Sequence, residues 1–118
     1  MGIKKLIILS GGFDPLHSGH IELLKRSSEE FDYVVLCLNS DSWLKNKKGI
    51  NFLSFEERRN ILQSIKYVNQ IVEFEEDEYG SAINGIQKVL DNFTSYRNIL
   101  SDKTYLTDRK STRLNSSH

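Results

Sequence analysis

Two histidines, His17 and His20, stand three residues apart around Gly19, directly after Gly11-Gly12-Phe13-Asp14-Pro15-Leu16. Glycines let a backbone approach a ligand closely, because no Cβ stands in the way. If a helix opens near Ser18, this spacing lets both imidazoles reach one side of its first turn. The start of a helix also offers N–H groups without an intrahelical partner and a partial positive charge. Together these features make a phosphate site. Imidazoles in it can donate to phosphoryl oxygens whose charge grows as the bond to a leaving group breaks. Two blander uses of the pair compete, packing alone and metal ligation. Zinc needs more than two protein ligands, and the one remaining histidine is His118, the last residue, so no metal site is expected.

The elements that must position this loop follow from the apolar pattern. Leu6-Ile7-Ile8-Leu9 and Tyr33 to Leu38 are short continuous apolar runs, as strands buried on both faces require. Gln70 to Phe74 is a third such strand, and Arg97 to Leu100 a weak fourth. A helix is predicted over Ser18 to Glu30, with Ile21, Leu24 and Ser28 on one side. Asn39 to Ser42 reads as a turn into a short helical piece carrying Trp43 and Leu44, with Asp41 as turn residue or N-cap. Lys45 to Asn51 reads as a basic loop. Ser54 with Glu57 has the capping-box form, and opens a helix with Phe55, Leu62 and Ile65 near one face. Gly80 to Phe93 is a further helix, with Ile83, Ile86, Leu90 and Phe93 at helical spacing. The acidic run Glu73 to Glu78 reads as a solvated strand exit.

Strands that alternate with helices and are apolar on both faces imply an α/β fold, a Rossmann-like parallel sheet with helices on both faces. Ligands of such sheets bind at the carboxyl ends of strands near the switch point. The first strand runs straight into Gly11 to His20, which puts the histidines there.

Composition narrows the partners. The chain has 118 residues, one domain's worth. Residues 1–109 are expected to form that domain, incomplete at its C-terminal end. Residues 110–118 are polar and aperiodic, and read as a foreign or disordered tail. Lys+Arg and Asp+Glu both number 16, so no global field attracts nucleic acid and phosphate binding must be local. The single cysteine, Cys37, excludes an internal disulfide and fits a reducing cytoplasm; inside an apolar strand it needs no catalytic role. No apolar stretch is long enough to span a bilayer.

Gly12 to His20, reading His17-Ser18-Gly19-His20 at its end, resembles the His-x-Gly-His signature of the cytidylyltransferase-like nucleotidyltransferases. Asn39-Ser40-Asp41, Lys45, Lys48-Gly49, Phe55-Glu56-Glu57-Arg58 and Val68 to Asp77 are similar in order and spacing. Within the family the nearest patterns are those of heptose-phosphate adenylyltransferase domains and glycerol-3-phosphate cytidylyltransferases. The resemblance implies transfer of AMP or CMP from ATP or CTP to a phosphorylated sugar or polyol, with release of pyrophosphate and with Mg²⁺ accompanying the triphosphate. It implies that His17 and His20 bind the triphosphate and stabilise the pentavalent phosphorus. Lys48, with Lys45, would neutralise phosphate charge. The backbone of Gly12 and Phe13, with Gly19, would lie at the nucleotide, and Asp14 would position nucleotide or motif. Arg58 would bind phosphate or brace the site; its position in a first helical turn, unfavourable for the helix dipole, speaks for a role beyond helix stability.

The sequence also departs from the pattern. Asn69 stands where relatives carry Asp, and Ser101-Asp102-Lys103-Thr104 where they carry Gly-Gly-Asp after a fourth strand. The later Ser/Thr-rich nucleotide segment is absent, so truncation and weak activity are expected. A non-catalytic nucleotide-binding fragment is the alternative. A class I aminoacyl-tRNA synthetase fragment is a third reading, against which the small size, neutral charge and missing second lysine signature weigh. A homodimer is left open.

Overall fold

The computed structural model describes residues 5–94 and the backbone of 103–108. In chain order the elements are β1 (Lys5–Gly11), α1 (Ser18–Glu30), β2 (Tyr33–Leu38), α2 (Asp41–Lys48), α3 (Phe55–Gln63), β3 (Gln70–Glu73), α4 (Ile83–Thr94) and β4 (Lys103–Asp108). The four strands form one parallel sheet in the order β3-β2-β1-β4. Leu6 pairs with Tyr33 and Gly11 with Leu38, so the carboxyl ends of β1 and β2 lie level.

Alternation along each strand divides the core. Leu6, Ile8, Val35, Cys37 and Val72 face Val89 and Phe93 of α4, with Phe74 and Ala82 completing the layer. Ile7, Leu9, Val34, Leu36 and Leu38 face Leu24 of α1 and Leu62 of α3, joined by Phe13. Each such aliphatic side chain, fully buried, contributes about 1.5–3 kcal/mol. The fold is therefore α/β and Rossmann-like, with helices on both faces. From β1 the chain steps outward to β2 and β3 with α1 and α3 on one face. It then returns over the other face through α4 to β4 beside β1, as right-handed crossovers demand when direction reverses. The crevice at that reversal lies at the carboxyl end of β1, where the histidine loop begins.

Several boundaries differ from the sequence reading. Lys45 to Lys48 is not loop but the last turn of α2, which ends at Gly49 with φ of 83° and its N–H on the Lys45 carbonyl. Three lysines in a last turn suit the helix dipole, and this outweighs their polarity. Ser40, not Asp41, caps α2, its hydroxyl accepting from Trp43 N–H. The helix predicted from Gly80 begins at Ile83, because Asp77 closes a turn through the N–H groups of Tyr79 and Ser81 and Gly80 takes φ of 76°. Its inner stripe is Ile86, Val89, Leu90 and Phe93, preceded by buried Ala82, so Ile86, Leu90 and Phe93 lie as expected while Ile83 is 60% exposed. In α1 the buried stripe is His20, Leu24 and Ser27 rather than Ile21, Leu24 and Ser28. β3 ends at Glu73, although Phe74 still reaches the core. Arg97 to Leu100, read as a weak strand, lies outside the described residues, as does the 110–118 segment; the strand beside β1 is Lys103–Asp108. Lys103-Thr104 therefore opens a strand rather than following one. Among the described residues no helix is long and apolar enough to cross a membrane.

Candidate active site

The loop from Gly11 to His17 leaves β1 through backbone that few residues tolerate. Phe13 has φ of 52°, a left-handed conformation costly for an aromatic residue, and is held there by burial of its ring in the core at 1% exposure. The Asp14–Pro15 peptide bond is cis. Asp14 is buried, and its carboxylate accepts from the N–H groups of Phe52 at 2.6 Å and Leu53 at 2.8 Å. Lys48 Nζ stands 3.5 Å from the same carboxylate, donates to the Asp14 carbonyl, and lies over the Phe52 ring. Asp14 thus ties the loop to the segment between α2 and α3, and Lys48 is gathered to it. Lys45 is exposed on α2.

His17 is the N-cap of α1, in extended conformation. Its Nδ1 accepts from Gly19 N–H at 3.0 Å, and its carbonyl accepts from His20 and Ile21. His20 Nδ1 in turn accepts from His17 N–H at 3.1 Å. The two rings stack with centroids 3.9 Å apart, and His20, 4% exposed, leans on Phe13. Fewer N–H groups are open at this helix start than expected, because His17 itself takes up those of Gly19, His20 and Ile21. The consequence is chemical: a neutral imidazole whose Nδ1 accepts must carry its proton on Nε2. Both rings are fixed as Nε2–H donors. Gly19 makes this geometry fit, since a Cβ there would stand 2.9 Å from His17 Cε1.

Arg58 reaches the site from α3 with a side chain that is 0% exposed. Nη1 donates to the carbonyls of Gly12 at 2.9 Å and Asn39 at 2.8 Å, Nε to Leu53, and Nη2 to the Asp41 carboxylate at 2.8 Å. Of the two roles expected for Arg58, phosphate ligand or brace, this geometry is that of a brace. Gly12 is buried, and a Cβ on it would lie 2.6 Å from Leu44, so its lack of a side chain admits α2 rather than exposing a surface.

The sequence reading missed the acidic side of this assembly. Glu76 is only partly exposed. Its carboxylate accepts from Asn39 Nδ2 at 2.9 Å, Ser40 N–H at 2.8 Å and the Ser40 hydroxyl at 2.7 Å. Burial alone would raise its pKa, but these bonds outweigh it and hold the carboxyl below its ordinary value. Trp43 was also missed: its indole N–H donates to the Gly80 carbonyl at 2.8 Å, and its ring edge comes close to Gly12. An open hollow of about 490 Å³ lies beyond Trp43, lined by Asn46, Lys47 and Tyr79 among others, and contains none of the histidine-loop residues. Cys37 lies under the sheet, where burial pushes its thiol up to about 12 with Lys88 opposing, so it is no thiolate nucleophile. Among the described residues no group of three side chains is arranged to hold a metal.

The glycerol-3-phosphate cytidylyltransferase of Staphylococcus aureus (strain NCTC 8325 / PS 47) is 38% identical over 68 residues, covering 58% of this chain and 52% of that protein. The bifunctional protein HldE of Campylobacter concisus (strain 13826) is 38% identical over 92 residues, covering 75% of this chain and 18% of that protein. The chain thus spans about half the length of the cytidylyltransferase and a smaller share of the bifunctional protein. The crystal structure of the lipopolysaccharide core biosynthesis protein from Thermoplasma volcanium GSS1 shares the fold, with a TM-score of 0.61 at 21% identity over 87% of this chain and 95% of that one. The cytidylyltransferase-like family model matches residues 8–111, from within β1 past the end of β4, and the chain belongs to that family.

Proposed function

We propose that the chain transfers AMP or CMP from ATP or CTP to a phosphorylated sugar or polyol. A phosphate oxygen of the acceptor attacks the α-phosphorus, the bond to the β-phosphate oxygen breaks, and pyrophosphate leaves with the electron pair. The observation that carries this reading is the stacked pair His17 and His20, each with Nδ1 bound to a backbone N–H. Two Nε2–H donors held in one tautomer would stabilise oxygens that gain charge in such a transition state; His17 is exposed at the loop, while the Nε2 of His20 is buried and must open toward the phosphate. No side-chain nucleophile is required; positioning and charge do the work.

In this reading Lys48, one-third exposed beside Asp14, meets the triphosphate, with Lys45 adding charge nearby. Exposed Gly19 lies at the nucleotide, while the buried Gly12–Phe13 backbone, kept in place by Asp14 and Arg58, sets the path of the loop beneath it. Mg²⁺ belongs to the same proposal: brought with the triphosphate, it would supply neutralising charge there and would need few protein carboxylates. The test is pyrophosphate release with each nucleotide, Mg²⁺ and a panel of sugar and polyol phosphates. Release that depends on one acceptor supports the reading. Nucleotide binding without release from any acceptor points instead to a non-catalytic binding protein of this fold.

A further inference from the structure

The carboxyl ends of β1, β2 and β3 are linked by one chain of polar contacts that ends on an acid. Glu76 follows β3 and holds Asn39 and Ser40, which follow β2, through three hydrogen bonds of 2.7–2.9 Å. Asn39 passes the link on, because its carbonyl shares Arg58 Nη1 with the carbonyl of Gly12, which follows β1. Ser40 is the N-cap of α2, so Glu76 grips that helix at its cap. Four residues on, the Gly80 carbonyl grips the same helix through Trp43 Nε1. A strap of residues 76–80 therefore fixes both the N-terminus and one side of α2. The far end of that helix carries Lys48 to Asp14. Asp41, its first residue, joins Arg58 and Asn51.

We propose that Glu76 is a positioning residue: by fastening Asn39 and Ser40 it sets where α2 lies, and so where Lys48 meets the histidine loop. The carboxylate suits the task. It accepts from a backbone N–H, an amide and a hydroxyl at once, and at the start of α2 its charge is favourable to the helix dipole. A neutral amide at the same place accepts through one oxygen only, and its NH₂ group faces donors. In its effect on Lys48 and nucleotide, the proposal rests on the nucleotidyltransferase reading.

The experiment compares Glu76→Gln and Glu76→Ala with the parent, and uses Glu75→Gln, a neighbouring exposed carboxylate, as control. Amide hydrogen exchange is read at Phe52 and Leu53, whose N–H groups are held by Asp14. Trp43, the single tryptophan, reports the strap by its emission. Cooperative thermal unfolding of each variant establishes that it is folded. The expected result is faster exchange at Phe52 and Leu53 and red-shifted Trp43 emission in both Glu76 variants, with the Glu75 variant unchanged. ATP and CTP dissociation constants should rise by about tenfold or more, as misplacement of a binding group does. In a Lys48→Ala background the Glu76→Ala change should add nothing further, because the two act on one contact. Unchanged exchange at Phe52 and Leu53, or fully additive Glu76 and Lys48 effects on nucleotide binding, overturns the proposal. If the parent binds neither nucleotide but the exchange changes appear, the nucleotide reading fails while the positioning role stands.

Discussion

Arg58 holds the carbonyl of Gly12 at 2.9 Å across 46 residues of sequence, so the first turn of the histidine loop is fastened to α3. The same guanidinium takes the Asn39 and Leu53 carbonyls and the Asp41 carboxylate. Arg58→Ala would leave three carbonyls, two of them in buried bonds, and a carboxylate without this partner. The expected loss is about 3–5 kcal/mol of unfolding free energy, the cost of removing one member of a buried ionic network. Arg58→Lys should recover part of it, since one ammonium cannot replace a planar fork. Urea unfolding of the three proteins checks this, and equal midpoints would show that the loop holds itself.

How much of this was legible beforehand follows from how local each signal is. Ser18–Glu30 and Tyr33–Leu38 match the elements read from apolar spacing, because a single buried stripe governs the helix and burial on both faces governs the strand. His17 and His20 stood out because their meaning depends on three residues of spacing and on the strand that precedes them. Glu76 did not, since its partners Asn39 and Ser40 lie 37 and 36 residues away and an acidic run looks solvated from sequence. Lys45 to Lys48 was misread for the opposite reason: polarity suggests a loop, yet the Ser40 cap and the helix dipole favour continuing α2. Arg58 was singled out by the family resemblance, with its unfavourable place in a first turn as support, but its partners came only with the fold.

His17 caps α1 through Nδ1, and in the proposed reaction it has a second, separable duty, offering Nε2–H. His17→Ala should lower turnover by about 10²–10³, the usual cost of one transition-state donor, and stability by only about 1 kcal/mol, the usual cost of a lost cap. His17→Asn restores a cap without the donor, so it should recover the stability and not the turnover. His20→Ala should also lose turnover out of proportion to stability. Pyrophosphate release and thermal unfolding on the same samples separate the two. Parent-like turnover in either alanine variant would remove that histidine from the mechanism.

Gly19→Ala tests whether the cap geometry needs the missing Cβ. An alanine methyl would meet His17 Cε1 at 2.9 Å and Nδ1 at 3.0 Å, so the ring must turn away from the Gly19 N–H. Alanine gains up to about 1 kcal/mol in helix propensity over glycine, which offsets part of the lost cap. The expected outcome is near-parent stability with at least tenfold lower turnover, a magnitude taken from misplacement of a catalytic donor. ¹⁵N spectra of the His17 ring should at the same time lose the single Nε2–H tautomer.

Glu76 should leave a mark on the acid side of the stability profile. Its folded pKa lies below the ordinary 4.5 despite burial, because Asn39 and Ser40 bond the ionised form. The sign follows: the unfolded chain binds this proton more readily, so the contribution is whole above the ordinary value and is lost as pH falls through the folded one. The parent's melting temperature should therefore drop more steeply than that of Glu76→Gln as pH falls below 4.5. Parallel profiles would mean that the carboxylate's charge is not what holds Ser40.

Lys48 and Lys47 are adjacent on the last turn of α2 but point to different surroundings. Lys48 stands 3.5 Å from the buried Asp14 carboxylate and bonds the Asp14 carbonyl, at the turn that leads to His17. Lys47 lies over the Trp43 ring, 5.6 Å from its centre, beside the open hollow. A triphosphate held by His17 and His20 would draw Lys48 from one anion to another, a short movement for a flexible side chain already a third exposed. Lys48→Ala should therefore weaken ATP or CTP binding by about tenfold or more, since charge-assisted bonds contribute about 1.5–3 kcal/mol. Lys47→Ala should change it less than twofold, because the lost charge is exposed and screened within about 10 Å at 0.1 M salt. Raising salt should shrink both effects without merging them. Calorimetric titration of each variant with each nucleotide decides the matter, and equal losses would reduce the two lysines to a diffuse positive charge on α2.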